Sequence, residues 1–242
     1  MADYIEINSE RLCDCKKGYL SCVEAREWMK NQIGVWNFNY EPRDVRDKTV
    51  HPAVFPISLA TRVIEQFTHK GELVLDPFCG SGTTLVAAQD LERNCIGIDL
   101  KQEYVDLSNS RVDNEKNGNP CKQIAVCRDA RTLSEVVRPK TVKLSLTSPP
   151  YANILNRERK NKSRRGDLRE NKQYLKVEQY SQDERDLGTL SAEQFETAIC
   201  EIYSSMKSVF SEKAHALINI TDAWIDGKRV PLHINIINAL VK

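Results

Sequence analysis

The sequence predicts an α/β fold with a doubly wound, mostly parallel sheet. Three observations predict it. Short apolar runs alternate with helical patterns through most of the chain. The runs at Leu73–Asp76, Asn94–Asp99 and Gln123–Cys127 end in an acid or just before one, at Asp76, Asp99 and Asp129. A glycine bend, Asp76-Pro77-Phe78-Cys79-Gly80-Ser81-Gly82, separates the first run from the helical pattern opened by Thr83-Thr84. Strand, glycine bend and helix in succession let a backbone approach a nucleotide-like ligand closely.

The totals fit one catalytic-size domain over residues 1–242. Hydrophobic residues make up 40% and charged residues 29%, ordinary for a folded chain with a real core. The net charge of +1 sets up no global field for nucleic acid, so any such surface comes from local clustering. No apolar run approaches the ~20 residues that span a bilayer. The start, MADYIEINSERLCDC, lacks the apolar core of a secretory signal, and a cytoplasmic location is expected. Of eight cysteines, Cys13, Cys15 and Cys22 cluster. Three thiols with a Cys-x-Cys spacing fall short of the usual four-ligand zinc pattern. Reduced thiols in a loop are expected there, and no metal.

In chain order, Val23–Ile33 reads as a helix with Trp28 and Met29 on its apolar side. Val35–Tyr40, VWNFNY, reads as an aromatic strand. Glu41–Val50 reads as a charged loop, and His51–Pro56 as a bend fixed by two prolines. Ser58 is placed to cap a helix carrying Leu59, Val63, Ile64 and Phe67 at helical spacing. His69 and Lys70 suit its C-terminal dipole and Gly71 its stop. Leu73–Phe78 is the first strand, Thr83–Glu92 a helix, Asn94–Asp99 the second strand, Gln102–Lys116 a helix, Gln123–Cys127 the third strand and Val142–Thr147 the fourth. Right-handed crossovers bring all their C-termini to one edge. The segment 152–190 is a polar insertion, with eight basic residues against three acids between Arg157 and Lys172. Ser191 and Gln194 form a capping box for a helix with an apolar stripe at Phe195, Ile199, Ile202, Met206 and Val209. Ala214–Thr221 is a fifth strand, Trp224–Arg229 a turn, and Pro231 opens a helix with Ile234, Ile237 and Leu240. The sequence stops inside that apolar stripe. This predicts a sheet short of its last strands, either in a fragment or in a chain completed by a second polypeptide.

The glycine bend has neither the third glycine of the dinucleotide fingerprint nor the Gly-Lys-Ser/Thr of a P-loop. It suits a ligand with an amino-acid-like end and no phosphate. Asp99 is placed to take ribose hydroxyls, and Asp129 to accept from a purine amine. At the fourth strand end, Ser148-Pro149-Pro150-Tyr151 forms a stiff, extended backbone. Its serine hydroxyl and proline carbonyl can accept the two hydrogens of a flat base's NH2 group while Tyr151 stacks on the ring. Loop and tetrapeptide face the same sheet edge.

DPFCGSGTT followed by TSPPY resembles the S-adenosylmethionine-dependent DNA amino-methyltransferases, which act on cytosine N4 or adenine N6. The resemblance covers nearly the whole chain and implies a Rossmann-like class I methyltransferase fold with S-adenosylmethionine as cofactor. By this resemblance Phe55 and Pro56 belong to the first cofactor motif, and Asp76, Phe78, Gly80, Gly82 and Thr83 to the glycine motif. Asp99 is then the ribose acid, and Asp129 and Ala130 lie on the adenine side. Ser148, Pro149, Pro150 and Tyr151 are the catalytic residues. A serine at the first catalytic position resembles the cytosine-N4 subgroup; adenine N6 stays the alternative. The resemblance also implies double-stranded DNA as partner, base flipping, a role in restriction-modification and association with the nucleoid. Arg157–Lys172 is the candidate phosphate contact. A non-catalytic nucleic-acid-binding fragment that needs a partner is the reading from outside the enzymes.

Overall fold

The computed structural model describes residues 3–16, 18–32, 34–45, 54–114, 118–150, 183–225 and 228–241. The chain divides into two compact units, Met1–Pro149 with Ile202–Asn219, and Pro150–Glu201 with Ile220–Lys242.

The first unit begins with an extended segment and two short helices, α1 (Ala25–Lys30) and α2 (Pro42–Val45). Helix α3 (Ile57–Phe67) follows and leads into β1 (Leu73–Asp76). Then come α4 (Thr83–Asp90), β2 (Asn94–Asp99), α5 (Gln102–Asn114), β3 (Gln123–Cys127), a 3₁₀ turn at Ala130–Glu135, and β4 (Val142–Thr147). Helix α6 (Ala192–Met206) runs across the boundary between the units, and β5 (Phe210–Ile218) returns to the sheet.

All five strands are parallel, in the order β3-β2-β1-β4-β5. Every residue of β1 is buried, as a central strand covered on both faces requires. The core gathers Val63 and Ile64 of α3, Val74 of β1, Leu85 and Val86 of α4, and Leu144 and Leu146 of β4. Helix α4 is buried at every position from Thr83 to Gln89. Its mixture of small and apolar residues, Thr-Thr-Leu-Val-Ala-Ala, reflects a helix enclosed on all sides rather than one with a wet face. The strand order reverses between β1, whose chain continues to β2, and β4 on its other side. In open parallel sheets the crevice at that reversal is where ligands bind.

The second unit holds a 3₁₀ turn at Leu187–Thr189, most of α6, the antiparallel pair β6 (Ala223–Ile225) and β7 (Lys228–Val230), and α7 (Leu232–Leu240). The capping box forms as expected: the Ser191 hydroxyl accepts from the Gln194 N–H at 3.2 Å, and the Gln194 side chain accepts from the Ser191 N–H at 3.1 Å. Phe195, Ile199, Ile202, Met206 and Val209 are all buried.

Five expectations change. Val35–Tyr40 is not a strand; Trp36 and Phe38 meet edge to face at 6.0 Å, with Arg62 of α3 over both rings. Cation–π packing, not backbone pairing, uses that aromatic run. Helix α1 is short and buries no residue, and Met29 is exposed. Ser58 does not cap α3. Its N-cap is Pro56, and the first free N–H, of Ile57, is taken by the buried Asp44 carboxylate at 2.7 Å. The fifth strand begins earlier than Ala214, at Phe210. In α7 the buried residues are Leu232 and Ile236, while Ile234 and Ile237 are exposed.

Leu144 of β4 is fully buried between the sheet and α3. Leu144→Ala is expected to cost about 2–5 kcal/mol, read from the midpoint of urea unfolding at unchanged slope.

Candidate active site

The site is built at the C-terminal edge of β1, β2 and β4. Its organiser is Asp76, the last residue of β1, which is 1% exposed. Its carboxylate accepts from the Thr84 hydroxyl at 2.5 Å, the Thr147 hydroxyl at 2.6 Å and the Phe78 N–H at 3.1 Å. One carboxylate therefore ties the end of β1 to the first turn of α4 and to the end of β4. Burial pushes its pKa up to about 6, against the opposing pull of these three donors. Enclosed and used in this way, Asp76 holds these three places in fixed relation.

The glycine bend is held from three sides. Asp99, ending β2, accepts from the Gly80 N–H at 3.0 Å and from the Lys101 N–H at 3.0 Å. From α5, the Ser108 hydroxyl donates to the Gly80 carbonyl at 2.7 Å, and Arg111 Nη1 donates to the Ser81 carbonyl at 2.7 Å. The Cys79 N–H donates to the Ile98 carbonyl at 2.9 Å. Gly82 caps α4 with φ +81°, and a Cβ there would lie 2.9 Å from both the Cβ and Oγ of Ser108. Both the left-handed backbone and the close approach of α5 demand glycine. Phe78 is half-buried beside this bend and Thr83 is buried within the helix start.

Asp129 caps the 3₁₀ turn after β3, accepting from the Arg131 N–H at 2.9 Å and pairing with the Arg131 guanidinium at 3.0 Å; Ala130 is buried behind it. Pro56 is buried at the start of α3, and Phe55 packs partly buried against the core. Ser148 and Pro149 follow β4 directly. The Thr147 carbonyl accepts from the Asn219 N–H at 2.8 Å, so the strand end is fixed on both flanks, by Asp76 on one and Asn219 on the other. Ser148 is half-buried and Pro149 buried. Tyr151, His51 to Ala53 and the basic segment Arg157–Lys172 lie outside the described residues.

Thr84, Thr147, Ser108, Arg111 and Asp44 hold the site together without having been picked out from sequence. The two threonines lie inside the quoted motif strings DPFCGSGTT and TSPPY, but no role was assigned to either. Ser108 and Arg111 share one face of α5 at i, i+3 spacing, which looks like any amphipathic helix until the glycine bend is laid against it.

A wholly parallel sheet in this order, with a glycine bend after its central strand and an acid ending the next, is a doubly wound, Rossmann-like architecture. Residues 5–110 match the N6/N4 methyltransferase family model, described as DNA methylase. The chain is similar to the type II methyltransferases M.HpaI of Haemophilus parainfluenzae (38% identical over 111 residues, 46% of this chain and 35% of the relative), M.SmaI of Serratia marcescens (45% over 83 residues, 34% and 27%) and M.BglI of Bacillus subtilis (45% over 94 residues, 39% and 25%). It thus spans about a quarter to a third of the length of these relatives.

Two outcomes test this geometry. Because the folded pKa of Asp76 is raised, the folded state holds a proton that the unfolded state releases. The group's contribution to stability is therefore greatest below the ordinary carboxylate range and falls as pH rises through about 6. Asp76→Asn removes that dependence. The wild-type minus variant difference in unfolding free energy should fall by on the order of 2–3 kcal/mol across that window, and a flat difference would contradict the assignment. Gly82→Ala should cost at least about 1–2 kcal/mol from the left-handed backbone alone, measured by thermal unfolding.

Proposed function

We propose that this chain binds S-adenosylmethionine at the glycine bend and transfers its methyl group to the exocyclic N4 amine of a cytosine flipped out of double-stranded DNA, as part of a restriction-modification system. The observation that carries this reading is the link through Asp76 between the glycine bend and Thr147, which precedes Ser148. It holds the bend and the end of the strand that Ser148 and Pro149 follow in fixed relation across the reversal of the sheet, which supports the reading.

The donor set fits the cofactor. The bend, Pro77–Gly82, contains no lysine or arginine to neutralise phosphate, and acids end or follow the neighbouring strands at Asp99 and Asp129. Such a set favours hydroxyls, an amine and a positively charged ligand. Gly80, Gly82, Phe78, Thr83, Asp99, Asp129, Ala130, Phe55 and Pro56 would hold it. When bound, S-adenosylmethionine supplies an electrophilic sulfonium methyl. The protein's part is then to place the target nitrogen and to free its lone pair. Ser148 Oγ and the Pro149 carbonyl accept the two amino hydrogens, and Tyr151 stacks on the base. With both amino hydrogens held in this way, the nitrogen lone pair would be turned toward the methyl group that the cofactor would supply, and one amine proton would pass to solvent. Extrusion is needed because a paired amine is buried in the base stack. Arg157–Lys172 contacts phosphates in this reading.

The second reading is adenine N6. It shares every element above, because the matched family joins both amines in one group; Ser148 favours cytosine by resemblance.

Transfer of labelled methyl to DNA, followed by nucleoside separation, tests the proposal: N4-methylcytosine is expected, and N6-methyladenine would select the second reading. Absence of both transfer and calorimetric S-adenosylmethionine binding would overturn it. Tyr151→Ala should retain cofactor binding while methyl transfer falls by at least about a hundredfold, the scale of a positioning loss.

A further inference from the structure

The three clustered N-terminal thiols acquire a fourth companion in the fold. His69, between α3 and β1, is fully buried. Its Nδ1 lies 3.4 Å from Cys13 Sγ and 3.5 Å from Cys22 Sγ. The three sulfurs, with Cys15, and the ring nitrogen all lie within 4.8 Å of one another. The other ring nitrogen, Nε2, is 3.0 Å from the Tyr19 carbonyl. A carbonyl only accepts, so Nε2 carries the hydrogen and Nδ1 presents a lone pair to the sulfurs. One lone pair cannot satisfy three converging thiols. A cation at the centre can.

We propose that Cys13, Cys15, Cys22 and His69 form a closed, four-ligand zinc site that fastens the N-terminal segment to the corner between α3 and β1. This is independent of the methyl-transfer reading. The spacing fits the ion. Tetrahedral zinc with Zn–S of about 2.3 Å and Zn–N of about 2.0–2.1 Å places sulfur and nitrogen about 3.5–3.6 Å apart, close to the 3.4 and 3.5 Å found. Three sulfurs and one imidazole in a tetrahedral arrangement select zinc over hard cations such as magnesium or calcium. With four protein ligands no position is left open for water, which makes the site structural and not catalytic.

The surroundings match. The carbonyl of Tyr19 orients the histidine, as outer partners of zinc-bound imidazoles do. The Lys70 N–H points at Cys22 Sγ at 3.4 Å, a donor to a thiolate. Binding converts three thiols to thiolates, releases three protons and leaves a net charge of −1 on the ion and its ligands. The buried guanidinium of Arg93, anchored on Thr68 next to His69, would offset that charge. The corner is already prepared to receive the segment. The Leu12 N–H donates to the Lys70 carbonyl at 2.8 Å. Glu72 accepts from Arg11 Nε at 2.9 Å and from the His69 N–H at 2.8 Å. Gly71 sits at φ +83°, and a Cβ there would strike the Glu10 carbonyl oxygen at 2.2 Å.

The test is metal content and cobalt spectroscopy on the full chain. Protein expressed with zinc and dialysed should retain about one zinc per chain, the stoichiometry of one four-ligand site. Reduced apoprotein should take up cobalt with the intense visible bands of tetrahedral thiolate ligation and release protons as it does so. Cys15→Ser should weaken zinc binding by at least about tenfold, whereas Cys127→Ser, exposed and outside the cluster, should leave it unchanged. The wild-type cobalt titration decides the matter should Cys15→Ser not fold. Protein with no retained metal and no tetrahedral cobalt spectrum, or a disulfide among the three cysteines in protein freshly purified without reductant, would overturn the proposal.

Discussion

The candidate active site depends on one buried carboxylate. Asp76 ends the central strand and joins the glycine bend beside it and Thr84 of α4, eight residues on, to Thr147 of β4, 71 residues away. A charged group in a dry interior is costly unless hydrogen-bonded, and the hydrogen bonds it demands are the ones that set the geometry. The same burial that raises its pKa makes the three donors obligatory. Loss of any one would leave a buried acceptor short of a partner, so bend and strand end are held in fixed relation. Around this point the remaining contacts are supports. Ser108 and Arg111 brace the bend from behind, Asp99 from the side, and Asn219 holds the far flank of Thr147.

The sequence revealed the parts whose signals are local. Asn94–Asp99 and Val142–Thr147 stand where their apolar runs put them, because a largely buried strand has little freedom in what it contains, and the half-buried edge strand Gln123–Cys127 stands where its own short run puts it. The glycine bend was equally readable, since only glycine fits the backbone at Gly82. What escaped were decisions made by tertiary contact. VWNFNY has strand composition, yet Arg62 offers its rings a better surface than any neighbouring strand. The cap of α3 was sought in Ser58, within the helix, but came from Asp44 across a bend. The periodicity of α7 was read correctly as helical, but the stripe chosen was not the one that is buried.

The cysteine cluster illustrates the same limit. Cys13, Cys15 and Cys22 read as reduced thiols in a loop, one ligand short of a zinc pattern and with the wrong first spacing. His69, 47 residues beyond Cys22, read as a charge placed for the helix dipole. Neither reading is unreasonable in one dimension. Folding returns the end of α3 to the N-terminal segment, and the imidazole then faces sulfur instead of solvent. Long-range ligand sets of this kind have no sequence period and emerge only from the topology.

The fixation of Thr147 has a consequence for how such a protein can change over generations. Asp76 and Asn219 are the residues that anchor the end of β4, and neither belongs to the stretch 151–182 that follows the Ser-Pro-Pro turn. Lengthening a connection costs only about 0.6 kcal/mol per doubling. The anchoring of the β4 end by Asp76 and Asn219 therefore does not depend on the length of the chain between them.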